Sequence, residues 1–299
     1  MLPPIVHHPG YVAPLPAGHR FPMNKYGMLI KRLTELGLAT DANLFRPEPA
    51  PRAWLETAHA PAYVSQVLEQ TLDAEATRRI GFPVTDKVAR RSRLSSAGST
   101  LAGRLALEHG IACNTAGGSH HAHRDFGSGY CVFNDVAVAV SVLKAEGLIR
   151  RAFVVDLDVH QGDGTAAIFA DDPAVFTFSM HGEKNFPARK AIGDRDIGLA
   201  NDTADATYLE TLADALRDLL AAHAPDLVFY NAGVDPHADD RLGRLALTDS
   251  GIAARDRLVV ETCRDLGLPL ATVVGGGYQA DLKALARLHA LVVGAANGG

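Results

Sequence analysis

The sequence predicts an α/β fold: one three-layer α/β/α domain over residues 1–299, with a mainly parallel central sheet. Two observations predict it. Helical patterns of ten to fifteen residues alternate with short strands through the body of the chain. The strands, such as Phe153-Val154-Val155, are continuous apolar runs, as expected of a parallel sheet covered on both faces. The length is above the common single-domain range but within reach of open α/β sheets that form one unit.

The elements follow in order. Residues 1–25 are rich in Pro and His and read as an irregular lead-in, with helix signals beginning over residues 25–38. A helix is expected over 95–109 and a strand over 111–114. A helix over 134–146 then leads to a strand over 152–156, and a further strand lies over 174–179. Residues 208–223 carry a good apolar stripe at helical spacing and precede a strand over 227–231. The chain closes with a helix over 251–266, a strand over 268–274 and a helix over 280–294. No repeat, low-complexity tract or flexible linker divides it.

Composition excludes several function classes. Hydrophobic residues make up 47% and charged ones 21%, ordinary for a globular chain with a large core. A net charge of −5 with scattered arginines gives no nucleic-acid footprint, and the one basic run, "ARRSR" at 89–93, reads as a solvated helix face. Three dispersed cysteines, Cys113, Cys131 and Cys263, make neither a disulfide framework nor a thiolate metal site, which fits a reducing, cytoplasmic location. Neither a signal peptide nor a membrane span is expected.

In a parallel sheet, ligands bind outside the carboxyl ends of the strands. Four predicted strand ends here deliver titratable groups and glycines to that rim. "TAGGSHHAHRDFGSGY" carries His120 and His121; "DLDVHQGDG" carries Asp156, Asp158, His160 and Asp163; "AGVDPHADD" carries Asp235; "GGGYQ" carries Tyr278. Extended backbone has period two, so Asp156, Asp158 and His160 are expected on one side and Leu157 and Val159 on the other. Two carboxylates and an imidazole at the mouth of a buried strand are costly to desolvate together unless a cation sits among them. Asp158 and His160 supply two zinc-type ligands, and Asp235 is the best third candidate, leaving the fourth position to water. A neutral histidine near that water could act as general base, with Asp156 and Asp163 orienting the histidines and the Tyr278 hydroxyl meeting the developing oxyanion. Gly-x-Ser-x-Gly is absent, so a serine nucleophile is not expected, and Cys131 reads as a small buried or tunnel-wall residue.

At these residues the sequence resembles the histone deacetylase superfamily of arginase-like α/β hydrolases. "GGSHHAHRDFGSGYCVFND", "VVDLDVHQGDGTAAIF", "FTFSMH", "YNAGVDPHADDRLGRL" and "GGGYQ" occur in the family's order, over about residues 91–290, and the details look most similar to the class IV branch and its bacterial relatives. The resemblance implies zinc held by Asp158, His160 and Asp235, with Fe(II) able to use the same ligands. It implies His121 as general base and acid, His120 as its electrostatic partner, the pairings Asp156 with His120 and Asp163 with His121, and Tyr278 polarising the acyl carbonyl. It also implies a structural potassium ion near Asp156, Asp158, His160, Ser179 and Met180, and a second near Phe169, Asp172 and Val175. A substrate tunnel would be bordered by Gly129, Tyr130, Phe186 and Gly276.

The implied activity is removal of an acetyl or longer acyl group from an N-acyl amine, foremost acyl-lysine. An acetylpolyamine, another small amide, or a non-catalytic acyl-binding role are the alternatives. An arginase-type two-metal site would require an Asp where His237 stands. Departures from the family pattern are Gly81 or Phe82 where peptide deacetylases carry an acidic rim residue, and a loose match at "GHRFPMNKYGML", where His19 and Lys25 receive no role. His7, His8, His123, His181 and His237 are expected at the surface or behind the site. Small residues at the tunnel floor, Gly117, Gly118 and Gly276, are expected to leave room for acyl chains longer than acetyl.

Overall fold

A computed structural model describes residues 2–298. The chain runs β1 (Ile5–Val6), α1 (Lys25–Glu35), β2 (Leu44–Phe45), α2 (Arg52–Leu55), α3 (Pro61–Leu68), α4 (Ala74–Ile80), α5 (Asp86–His109), β3 (Ile111–Asn114), α6 (Asp135–Ala145) and β4 (Ala152–Asp156). It continues through α7 (Asp163–Phe169), β5 (Val175–Gly182), β6 (Arg195–Leu199), α8 (Asp205–His223), β7 (Leu227–Asn231), α9 (Asp249–Asp265), β8 (Leu270–Val273) and α10 (Leu282–Ala296). The eight strands make one sheet in the order β2-β1-β3-β8-β7-β4-β5-β6, and each neighbouring pair is parallel.

Every residue of β4, β7 and β8 is buried, which is why these segments read as unbroken apolar runs. Each Val, Leu or Phe taken out of water there contributes roughly 1.5–3 kcal/mol. Two groups of helices cover the sheet: α5, α6 and α7 pack on one another, and α1, α10, α9 and α8 pack in succession. Side-chain caps set the helix starts: Thr85 accepts from the Val88 N–H, Asn134 from Ala137, Thr248 from Gly251 and Asp281 from Lys283 and Ala284.

The strand order creates the site. From β4 the chain moves outward to β5 and β6; from its neighbour β7 it moves the other way, to β8 beside β3. Loops leaving β4 and β7 therefore diverge, and a crevice opens between them at the topological switch point.

Several expectations are corrected. The lead-in at residues 1–25 contains β1, which lies between β2 and β3 in the sheet; a two-residue strand is too short to show periodicity. Helix α5 starts at Asp86, not at 95, and "ARRSR" is not a solvated face. Arg91 in that run is 4% exposed, donating to the Tyr11 carbonyl (3.0 Å) and the Tyr26 hydroxyl (2.7 Å). Strand β4 ends at Asp156, so period-two geometry stops there, and Asp158 and His160 are placed by the turn that follows. Strand β6 gives no apolar run in the sequence because it is an edge strand that opens on the charged Arg195 and Asp196 and buries only Leu199. Helix α7 was also missed; Asp163 is its first residue.

Candidate active site and metal centre

Asp158, His160 and Asp235 converge. A ligand atom from each lies within 4.8 Å of the others, and all three side chains are buried. His160 Nδ1 is 3.0 Å from Asp158 Oδ1 and 3.1 Å from Asp235 Oδ2. Backbone N–H groups orient the carboxylates: Gly276 donates to Asp158 Oδ2 (2.6 Å), His160 to Asp158 Oδ1 (3.0 Å) and Val159 to Asp235 Oδ1 (2.8 Å). Burial alone would lower the His160 pKa, but the hydrogen bonds and charges of Asp158 and Asp235 overcome it and raise it to about 10. Burial and the like charge of Asp158 push Asp235 upward. Two carboxylates so enclosed call for positive charge, and a divalent cation meets that demand with the oxygen and nitrogen donors that zinc prefers. The donor set therefore fits the ion. No other cluster of this kind occurs among the described residues, and His237 turns away, bonding Asp249 Oδ1 through Nε2 (3.0 Å).

The loop after β3 brings His120 and His121 beside this cluster, with ring centroids 4.1 Å apart. His120 Nδ1 pairs with Asp156 Oδ2 at 2.7 Å and His121 Nδ1 with Asp163 Oδ1 at 2.6 Å. The two rings are electrostatically unlike. For His120, burial is overcome by Asp156 and Asp158, and the pKa rises to about 9. For His121, burial and the neighbouring charge of His120 lower it to about 4, so this imidazole is neutral at physiological pH. Asp163 is held below the usual carboxylate range by its bonds to His121 and His123, against the cost of burial.

Tyr278 follows Gly275-Gly276-Gly277, and burial, then Asp158 and Asp235, push its hydroxyl well above the usual phenol range. It stays a donor. A Cβ at Gly129 would meet His121 Cδ2 at 2.5 Å and Phe186 at 3.2 Å, and the Phe186 ring stands edge-on to His121 at 4.8 Å. Tyr130 lies 6.0 Å from Tyr278. Gly129, Tyr130, Gly276 and Tyr278 thus line one cavity with His120, His121 and Asp158.

The floor glycines face protein neighbours at contact distance. A Cβ at Gly117 would strike Asp135 at 2.5 Å, at Gly118 the Gly275 backbone at 2.5 Å, and at Gly276 the carboxylates of Asp158 and Asp235. The cavity they line measures about 20 Å³, space for about one water molecule. They are glycines because loops pass at contact distance, so neighbouring backbone and carboxylates occupy the space a side chain would need.

Other assignments are refined. Phe82 is 2% exposed and stacks on Tyr130 (6.0 Å, 8°), so it is packed against that ring and not displayed on the rim. His19 packs on both rings and bonds the Gly81 carbonyl. Pairing of β4 with β5 sets Ser179 opposite Asp156, with Met180 next in line. Phe169, Asp172 and Val175 form the turn between α7 and β5, where the Asp172 carboxylate pairs with Lys144. The Cys131 thiol lines the cavity, and burial raises its pKa, leaving it inert.

Some residues around the site escaped the sequence reading. Lys25, left without a role, is 1% exposed; its ammonium donates to the Gly275 carbonyl (2.7 Å) and sits near the Tyr278 ring (5.7 Å). Asp135 accepts from the Gly118 (3.2 Å) and Ser119 (2.8 Å) N–H groups, holding the loop before His120. His123, expected at the surface or behind the site, lies behind it and bonds the second oxygen of Asp163 at 3.1 Å. Lys25 could have been suspected from its aromatic neighbours in the sequence; Asp135 has no local signal.

Residues 19–296 match the family model described as Histone deacetylase domain. The chain is 50% identical over 289 residues to an uncharacterized protein of Picosynechococcus sp., covering 97% of this chain and 96% of the other. It is 31% identical over 282 residues to Histone deacetylase 2 of Arabidopsis thaliana, covering 91% and 72% of the two chains. A probable deacetylase of Methanothermobacter thermautotrophicus shares 31% over 209 residues, 66% of this chain and 61% of that one. In fold, the chain is similar to the crystal structure of the HDA15 HD domain, with a TM-score of 0.85 at 20% identity over 100% of this chain and 89% of the other.

Proposed function

The chain belongs to the histone deacetylase family, and from that premise we propose that it is a zinc-dependent deacetylase acting on an N-acyl amine, foremost an acyl-lysine side chain. One observation carries the reading: the buried Asp158–His160–Asp235 cluster reaches, through Asp158, the cavity that a neutral His121 on Asp163 and the protonated Tyr278 also line.

A divalent ion held by Asp158, His160 and Asp235 supplies a Lewis acid that lowers the pKa of water and polarises a carbonyl. The chain's own groups do the rest. Asp163 on Nδ1 fixes the His121 tautomer, so that Nε2 is the free base that takes the proton from the attacking water and returns it to the leaving amine. His120, paired with Asp156, adds the positive charge that keeps its neighbour neutral. Tyr278 donates its hydroxyl hydrogen to the acyl oxygen as negative charge builds. Aromatic walls from Tyr130, Tyr278 and Phe186 suit a slender methylene chain.

A polyamine substrate finds less support. Asp240 spends its carboxylate on the Tyr278, Leu242 and Gly243 N–H groups, and Asp239 is 82% exposed. The deciding experiment is hydrolysis of a fluorogenic acyl-lysine panel, acetyl to myristoyl, by metal-stripped protein reloaded with one equivalent of zinc. Zinc-restored acetyl-lysine turnover is expected; turnover that survives metal removal would defeat the reading.

A further inference from the structure

Strands β4 and β7 are paired up to Asp156 and Asn231, and one more backbone bond follows, from Leu157 N to the Asn231 carbonyl (3.2 Å). Beyond it the chains diverge at the switch point. Two of the metal-ligand residues, Asp158 and Asp235, sit one and two residues past the places where a third element reaches across. That element is α9. Arg255 Nη1 donates to the Leu157 carbonyl at 3.2 Å and to the Gly233 carbonyl at 2.5 Å.

We propose that Arg255 is a positioning residue for the metal centre: its guanidinium ties the loop carrying Asp158 and His160 to the loop carrying Asp235 and thereby sets the spacing of the ligands. The proposal rests on the reading of those three residues as a metal site.

The rest of the guanidinium is anchored so that the fork does not pivot. Nε and Nη2 both donate to Asp256 Oδ1, at 3.0 and 2.8 Å, and the same oxygen accepts the Tyr230 hydroxyl at 2.6 Å. Arg255 is 0% and Asp256 1% exposed, and Asp256 Oδ2 has no partner. A buried ion pair of this kind adds little stability over well-packed apolar residues of the same volume, so stability alone is a poor reason for it. A rigid planar donor set that bridges two backbone carbonyls is a better one, and a lysine with a single ammonium reproduces only part of it. The loops already touch at this point: a Cβ at Gly233 would collide with the Asp158 carboxylate, so loop drift here translates directly into ligand displacement.

The test compares zinc affinity, by competition with a chelating dye, for wild type, Arg255→Met/Asp256→Asn, Arg255→Lys and Leu212→Ala. The last is a stability control in α8, buried but outside the site. Apo-protein melting temperatures are measured alongside. The neutral double variant is expected to bind zinc about 10- to 100-fold more weakly than wild type, with Arg255→Lys between them and Leu212→Ala unchanged. Wild-type affinity in the double variant, or a loss no greater than that of a Leu212→Ala protein with the same melting temperature, overturns the proposal. If the double variant does not fold, Arg255→Lys decides: weaker binding than the control supports the role, and undiminished binding overturns it. Asp158→Asn separates the two levels of inference: if wild type binds no better than Asp158→Asn, the metal-site reading itself falls and takes this proposal with it.

Discussion

His121 and His160 are both buried imidazoles, yet their environments drive them in opposite directions. His121 is neutral because burial and the adjacent His120 disfavour its cation; His160 is cationic in the absence of metal because two carboxylates face it. His121→Ala should therefore lower kcat by about 10²–10⁴-fold with little change in zinc content, and Tyr278→Phe by about 10²–10³-fold with KM nearly constant, both read by steady-state kinetics. The His160 proton must leave before its nitrogen can ligate. Metal uptake at pH 7–8 should then release about one proton, measured by calorimetry in buffers of different ionisation enthalpy. Because proton and ion compete for the ligands, the acid limb of activity should move down by about one pH unit for each tenfold increase in free zinc. An acid limb insensitive to zinc would show that another group sets it.

At the scale of elements, loops at their closest approach decide the geometry. The segment Gly275-Gly276-Gly277 passes between the two ligand loops, and Gly276 both donates to Asp158 and has no space for a methyl group beside Asp158 and Asp235. Gly276→Ala should cost zinc binding as well as turnover, and excess zinc should restore only part of the activity; full activity at wild-type zinc would refute the packing argument. The glycines in "GGGYQ" are visible in the sequence, but what packs against them is not. Whether a missing side chain leaves a void or admits a neighbour depends on what lies opposite, and the neighbours of Gly118 come from β7 and the β8 loop, more than a hundred residues away. The same limit hid Arg91, whose helical register alone does not say that Tyr11 and Tyr26 wait on its side.

At the scale of the molecule, acid stability is set partly outside the site. Burial lowers the pKa of His7, His59 and His181 to about 4. The unfolded chain binds their protons from about pH 6.5 downward and the folded chain does not, so the stability they contribute is complete above about pH 6.5 and is lost as the pH falls toward 4. For His59, 0% exposed, this amounts to about 3 kcal/mol. The melting temperature should fall steeply across that window, and His59→Gln should flatten the slope; a parallel curve for the variant would exclude His59 as a contributor. If the site holds a divalent ion, removing it should lower the melting temperature near neutral pH and progressively less as the pH falls, since protons compete for the same ligands. None of the described helices is long and apolar enough to cross a membrane.

The sequence by itself determined the layered α/β class, the strands at 111–114 and 227–231, and the identity of the residues that meet at the sheet edge. Those are local facts: apolar runs mark buried strands, and polar groups at their carboxyl ends mark the rim. Only the tertiary structure decided the strand order, and with it which loops diverge around the crevice and which lie close enough to share a ligand set. It also decided the inward placement of Lys25, Arg91 and Arg255, the second imidazole on Asp163, and the neighbours packed against the floor glycines. Each depends on partners far apart along the chain, and a charged residue reads alike in sequence whether its partner is water or a carbonyl on another element.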